Sequence, residues 1–209
     1  QWPPWLGDEG YRWEVIRTCG FVKALTNPIV WVMLNFGFIS LLQNVLLLWI
    51  AAPSFVAHTM ATCKRPKEAL YWGDWAVAAL ILMFVVIESI ADNQQFAFQT
   101  EKYRLKAAGE KLSGEYADGF RRSGLFSIVR KPNYAAEQCV WICFYLFTLT
   151  AGAPLWNWSG VGCVLLVQLF QVSGWFTEKI TLEKYPKYEE YKKRVPLYLP
   201  NPIHTAKIK

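Results

Sequence analysis

The chain has 209 residues, 54% of them hydrophobic and 16% aromatic, with 11 Trp and a formal charge of +6. Its apolar residues lie in long blocks nearly free of charge, as long as a bilayer crossing, which excludes an ordinary soluble domain. The excess of Lys and Arg follows from membrane topology, so a nucleic-acid-binding role is excluded.

Residues 1–27 read as an interfacial segment. Trp2, Trp5 and Trp13 are interface anchors, two prolines bar a helix at the start, and 11–23 suits a short amphipathic surface helix. The chain begins at Gln1 without a signal-like stretch, which is expected if an upstream piece is removed in maturation, as on organelle import, or if part of the protein lies outside this sequence.

Asn27-Pro28 opens a first span over 28–52, with Gln43 and Asn44 facing protein and Pro53 ending it. An outer loop to Gly73 carries His58, read as an ordinary loop residue. Asp74 is placed as the N-cap of a second span, apolar from Trp75 to Ile87. Beyond it Glu88, Asp92, Gln95 and Gln99 share one helix face. Glu88 falls about 21 Å along the axis from Asp74, near the far edge of the hydrocarbon. Such a face marks either a site or a helix-packing network without a ligand.

A charged loop follows from Thr100 to Phe120. A third span runs from Pro132 to about Gly152, and a short uncharged hairpin leads to a fourth over 161–176, with Gln168, Gln171, Trp175 and Glu178 as a polar stripe. The tail, 179–209, is basic and Tyr-rich, with a surface helix over 187–193 whose tyrosines lie at headgroup level while the lysines snorkel. The fold expected is therefore all-α: a transmembrane bundle of about four spans over 28–178, flanked by interfacial helices. Lys64, Arg65 and Lys67 then fall on one side of the membrane, and loop 100–133 and the tail on the other, positive, side. The tail and loop would meet anionic phospholipid. The five Cys have no His at ligand spacing, so no metal site is expected.

Three polar clusters converge on that positive side. Glu88, Asp92 and Gln95 end span two. Arg130, Lys131, Asn133, Tyr134 and Glu137 open span three. Gln171 and Glu178 end span four. A carboxylate in lipid needs a partner or a polar cavity. Arg and Lys suit phosphate, while Asn, Gln and Tyr suit amide and ribose edges. Tyr134 beside a carboxylate can donate a proton to a developing enolate oxygen. Spacing allows this chemistry without demanding it, and no glycine-rich nucleotide motif is present.

Gly73-Asp74-Trp75, the E-x-x-A-D pattern at Glu88, Ala91 and Asp92 followed by Gln94, S-G-L-F at Ser123–Phe126, R-x-P-N-Y-x-x-E at Arg130–Glu137, Ser173-Gly174, Glu178, and Y-P-x-Y-x-x-Y at Tyr185–Tyr191 occur in order. With these motifs the chain resembles the steroid 5-alpha-reductase-like membrane family DUF1295 from about Tyr11 to Pro200, and more distantly the isoprenylcysteine carboxyl methyltransferases. The resemblance implies Tyr134, Glu137 and Glu88 as catalytic residues. It implies Asp92, Gln94, Arg130, Lys131, Asn133 and Glu178 as the face that holds NADPH in the reductases and S-adenosylmethionine in the methyltransferases. Ser127 and Lys131 stand where the family carries Arg and His, and Phe96 and Ala97 where it often carries a basic pair. Each lost charged contact costs about 2–5 kcal/mol of cofactor affinity. The family's N-terminal spans have no counterpart in this sequence. Two functions follow. One is an accessory or structural subunit of an organellar, for example mitochondrial, inner-membrane complex, with other membrane subunits and phospholipid as partners. The other is an NADPH-dependent reductase of a lipidic enone. A methyltransferase and a pure lipid-binding or transport protein are weaker alternatives.

Overall fold

The computed structural model describes residues 27–64 and 70–200, and these residues form helices, turns and loops without a strand. The interfacial segment expected over 1–27 lies almost wholly outside them. The chain divides into two compact units, Gln1–Leu48 and Trp49–Lys209.

In the first unit, helix α1 (Pro28–Leu34) starts with Asn27 as N-cap, its Oδ1 accepting from Ile29 N at 2.9 Å, and with Pro28 where a missing N–H costs nothing. A π-helical stretch (Asn35–Leu42) follows, leading into α2 (Gln43–Lys64), which belongs to the other unit from Trp49 onward. Within this chain Gln43 and Asn44 are exposed, so no protein of their own unit covers them. Asn44 Nδ2 instead donates to Ser40 O of its own helix, which satisfies a lone amide without a neighbour.

The second unit corrects two boundaries. Pro53 does not end the first helix but lies inside α2, and His58 is therefore helical. Proline removes the donor that would serve the carbonyl four residues back, which is that of Trp49. Gly162 of α6 (Gly160–Lys184) lies directly against that carbonyl, and a Cβ there would sit 2.2 Å from Trp49 O. Such an approach suits a weak Cα–H···O contact and is open only to glycine. Asp74 is not the N-cap of α3 (Trp72–Ala107). Tyr71 is, and the Asp74 carboxylate three residues on accepts from Tyr71 N at 2.9 Å.

Helix α3 runs to Ala107, well into the stretch read as a loop, because its charged end is solvated rather than broken: Arg104 chelates Glu101 with two bonds of 2.8 Å. Short α4 (Gly114–Asp118) and a 3₁₀ turn (Gly124–Ser127) lead to α5 (Pro132–Thr150). The α5–α6 hairpin is pinned by Asn157, whose Nδ2 donates to Tyr145 Oη (3.0 Å) and Thr148 Oγ1 (3.2 Å) and whose Oδ1 accepts from Ser159. The most extensive helix pairing is α3 with α5. Among the described residues, three helical stretches, 28–63, 72–107 and 160–184, are long and apolar enough to cross a membrane.

The tail closes the unit. Helix α7 (Tyr188–Arg194) buries Tyr188 and Tyr191 against Phe120 and Val195, so these tyrosines do not lie at a membrane surface as expected. Burial pushes both phenols well above the usual tyrosine range. Lys187 Nζ reaches Asp118 at 2.9 Å, and this hydrogen bond, with Arg122 beside it, holds the Asp118 carboxyl below its ordinary value. A depressed carboxyl stabilises the fold fully above the unfolded value of about 4. The contribution is lost as pH falls through the lower folded value. Proteolysis of the tail in detergent is therefore expected to be flat from neutral pH down to mild acid and to rise below it, and Asp118→Asn is expected to remove the rise.

Candidate functional site

The residues singled out from sequence fall into two groups. In the first, Arg130 and Glu178 form a buried pair with side chains 8% and 6% exposed. Arg130 Nε donates to Glu178 Oε1 at 2.6 Å and Nη2 to Oε2 at 3.2 Å. Its Nη1 donates to the carbonyls of Lys192, at 2.8 Å, and Val195. Tyr188 Oη donates to the same carboxylate at 3.1 Å. Backbone bonds continue the seam, from Arg130 N to Pro196 O (2.9 Å) and from Lys131 N to Leu197 O (3.1 Å). Local sequence explains the geometry. Pro132 starts α5, so Lys131 before it is held out of the helical region (φ −133°, ψ 70°), and the N–H groups of Arg130 and Lys131 meet the segment that follows α7, where Val195 is extended. The arrangement clasps the tail to α6.

Gln94 belongs with this group. Its Oε1 accepts from Leu125 N at 3.1 Å, and its own carbonyl accepts from Arg121 Nη1 at 2.7 Å. Gly124 lies on the Gln94 amide with φ +66°, where a Cβ would come within 2.5 Å of Oε1. The S-G-L-F turn is thus seated on α3 by a glycine and one side-chain amide.

The second group sits between α3 and α5. The Glu88 and Glu137 carboxyls lie within hydrogen-bonding reach of each other, with Asp92 adjacent. Asn133 Nδ2 donates to Asp92 Oδ1 at 3.0 Å, and Trp141 Nε1 donates to Glu137 Oε1 at 2.7 Å. Positions 88 and 92, and 133 and 137, are each one helical turn apart, so two facing helices bring the four together. Tyr134 turns the other way. Its ring meets Phe170 of α6 edge-on with centroids 5.0 Å apart, and Lys131 Nζ lies 4.9 Å above it. The structure therefore joins Glu88 with Glu137 and packs the Tyr134 ring on α6. The stripe read on span four also divides: Glu178 is buried while Gln168, Gln171 and Trp175 are exposed.

Sequence reasoning missed Trp141, although its spacing of four from Glu137 would have shown it. It also missed Lys102, which is buried with Nζ donating to Gly119 O (2.7 Å) and bonded to Tyr185 Oη (3.1 Å). Nothing in a run of charged residues distinguishes that lysine.

Residues 6–195 match the family described as "Protein of unknown function (DUF1295)". The chain belongs to the DUF1295 family. This DUF1295 member is 31% identical over 208 residues to "Uncharacterized protein C594.04c" of Schizosaccharomyces pombe, an alignment covering 93% of this chain and 55% of the relative. It thus spans about half the length of the curated relative it matches. No solved structure matches it.

Proposed function

We propose that this DUF1295 chain is a membrane-embedded accessory subunit, built on a reductase-like fold whose cofactor face has become internal structure. The observation that carries the reading is the Arg130 clasp. Dinucleotide phosphates require free donors. Arg130 spends Nε, Nη1 and Nη2 on Glu178 and two tail carbonyls, and the Gln94 oxygen is spent on Leu125. In what remains of the face, three carboxylates, Glu88, Asp92 and Glu137, stand against one ammonium, Lys131, which lies over the Tyr134 ring, and the Asn133 amide is already bonded to Asp92. Among the described residues the set does not fit a dinucleotide, so no hydride or proton step is assigned to it.

Helix α5 serves as a fourth span in this reading. Its 19 residues reach about 28 Å, close to the hydrocarbon thickness. The charged end of α3, loop 100–133 and α7 then share the positive side. Partner membrane subunits and phospholipid cover the apolar faces, in an organellar inner membrane.

Retention of Glu88, Asp92, Asn133 and Glu137 favours a second reading, an NADPH-dependent reductase of a lipidic enone. Extraction of native membranes in mild detergent separates the two. The accessory reading expects the chain to migrate on a native gel with other membrane subunits and to show no NADPH oxidation. A chain that migrates alone and consumes NADPH with a lipidic enone would replace it with the reductase.

A further inference from the structure

At the end of the bundle opposite the acidic cluster, α2, α3 and α5 leave a groove of about 330 Å³. Its walls are Ala57, Ala61, Phe144, Phe147 and Ala151, with His58, Ser54 and Asp74 as its polar members. Around this end the chain displays Tyr71, Trp72, Trp75, Trp156 and Trp158, with Trp72 85% and Trp156 87% exposed. Tryptophan and tyrosine gather where hydrocarbon meets headgroups, so the groove lies at that level. Leu70 also lines it, and Leu70 and Phe55, the neighbour of Ser54 on α2, are exposed.

His58 supplies an independent observation. It is an exposed imidazole on a candidate spanning helix, about 9 Å from the end of α2 by helical rise, and no hydrogen bond to its ring is made among the described residues. An ionisable side chain at such a position demands a polar partner. The other two polar members are engaged at their own helices, Ser54 Oγ donating to Ala51 O at 2.7 Å and Asp74 accepting from Tyr71 N at 2.9 Å, and the rest of the lining is apolar, so water filling the groove would have few partners. A largely apolar trough with the His58 imidazole on its wall at headgroup level matches a lipid that carries both an acyl chain and hydrogen-bonding oxygens.

We propose that the groove is a binding site for one phospholipid, with an acyl chain against Ala57, Ala61, Phe144 and Phe147 and the glycerol–phosphate oxygens at His58. The site is independent of whether the Glu88–Glu137 face carries chemistry.

The full chain is reconstituted in phosphatidylcholine bilayers containing a trace of phosphatidylcholine with a photoactivatable acyl chain, and adducts are mapped by peptide mass spectrometry. Labelling of 54–61 and 144–151 is expected to exceed that of the plain lipid-facing surface of α6 at Val164, Leu169 and Val172. Ala57→Trp, which fills the trough, is expected to abolish the excess and leave the α6 labelling intact. His58→Leu, which preserves the trough, is expected to lower phosphatidylcholine retained through detergent exchange about fivefold, the loss of one hydrogen bond. Should Ala57→Trp fail to fold, His58→Leu decides alone. Groove labelling no higher than on α6, labelling unchanged by Ala57→Trp, or retention unchanged by His58→Leu would overturn the proposal. A covering protein segment, from this chain or another, would give the first of these results.

Discussion

Replacing Arg130 with Met is expected to destabilise the solubilised chain by about 3 kcal/mol, because the buried Glu178 carboxylate loses its two guanidinium bonds and keeps only the Tyr188 hydroxyl and Lys192 Nζ at 4.0 Å. The same change frees the Lys192 and Val195 carbonyls, so the tail should become cleavable by protease while α3 and α5 stay protected. The pair can be removed together at far lower cost, since two apolar side chains of similar volume need no mutual charge. Arg130→Met with Glu178→Leu should therefore regain most of the lost melting temperature. It should fall short of the parent by the unpaired tail carbonyls, about 1–3 kcal/mol. Thermal unfolding of the three variants checks the cycle. If the double variant is no more stable than Arg130→Met, the pair is not the element that holds the tail.

Substitution of Gly162 by Ala is expected to cost about 3 kcal/mol, at the upper end of the range for overpacking. The obstruction is backbone, with Trp49 O at 2.2 Å and Ile50 N at 2.6 Å from the added carbon, and backbone cannot rotate aside. Val at 162 should be worse and should part α2 from α6. Gly37, which has nothing within 4 Å of an added Cβ, provides the contrast. Gly37→Ala is expected to be neutral or stabilising by up to about 1 kcal/mol. A pair of engineered cysteines on α2 and α6 that crosslinks in the parent and fails in Gly162→Val would report the separation directly. Equal melting temperatures for Gly162→Ala and Gly37→Ala would show that the close approach is absent.

The long apolar blocks placed α2, α3 and α6, and Pro132 placed the start of α5, because hydrophobic run length and proline at a first turn act locally. Pro53 misled for a physical reason. Proline usually ends a helix when its orphaned carbonyl has no other partner, and here Gly162, more than a hundred residues on, provides a partner. Asp74 was recognised as a start signal but assigned one function too early, since a carboxylate can serve a helix start from the cap or from the third position. The periodicity of Glu88 and Asp92 announced an inward polar face, and α5 does meet it with Asn133 and Glu137. What periodicity could not tell is that Arg130 faces Glu178 and the tail. That pairing depends on how an extended segment after α7 returns to α5, and no local pattern encodes it. For the same reason Tyr188 and Tyr191 looked like interfacial residues: an alternation of Tyr with Lys and Glu reads the same on a membrane surface and on a helix docked through its aromatic side.

The measurement that bears most directly on the Arg130 clasp as structure in place of a cofactor site is a calorimetric titration of the detergent-solubilised full chain with NADPH. With the guanidinium occupied by Glu178 and the tail, no saturable heat is expected up to millimolar cofactor. Saturable binding in the micromolar range, lost in the folded Arg130→Met, Glu178→Leu double variant, would contradict the account and restore Arg130 as a ligand for phosphate.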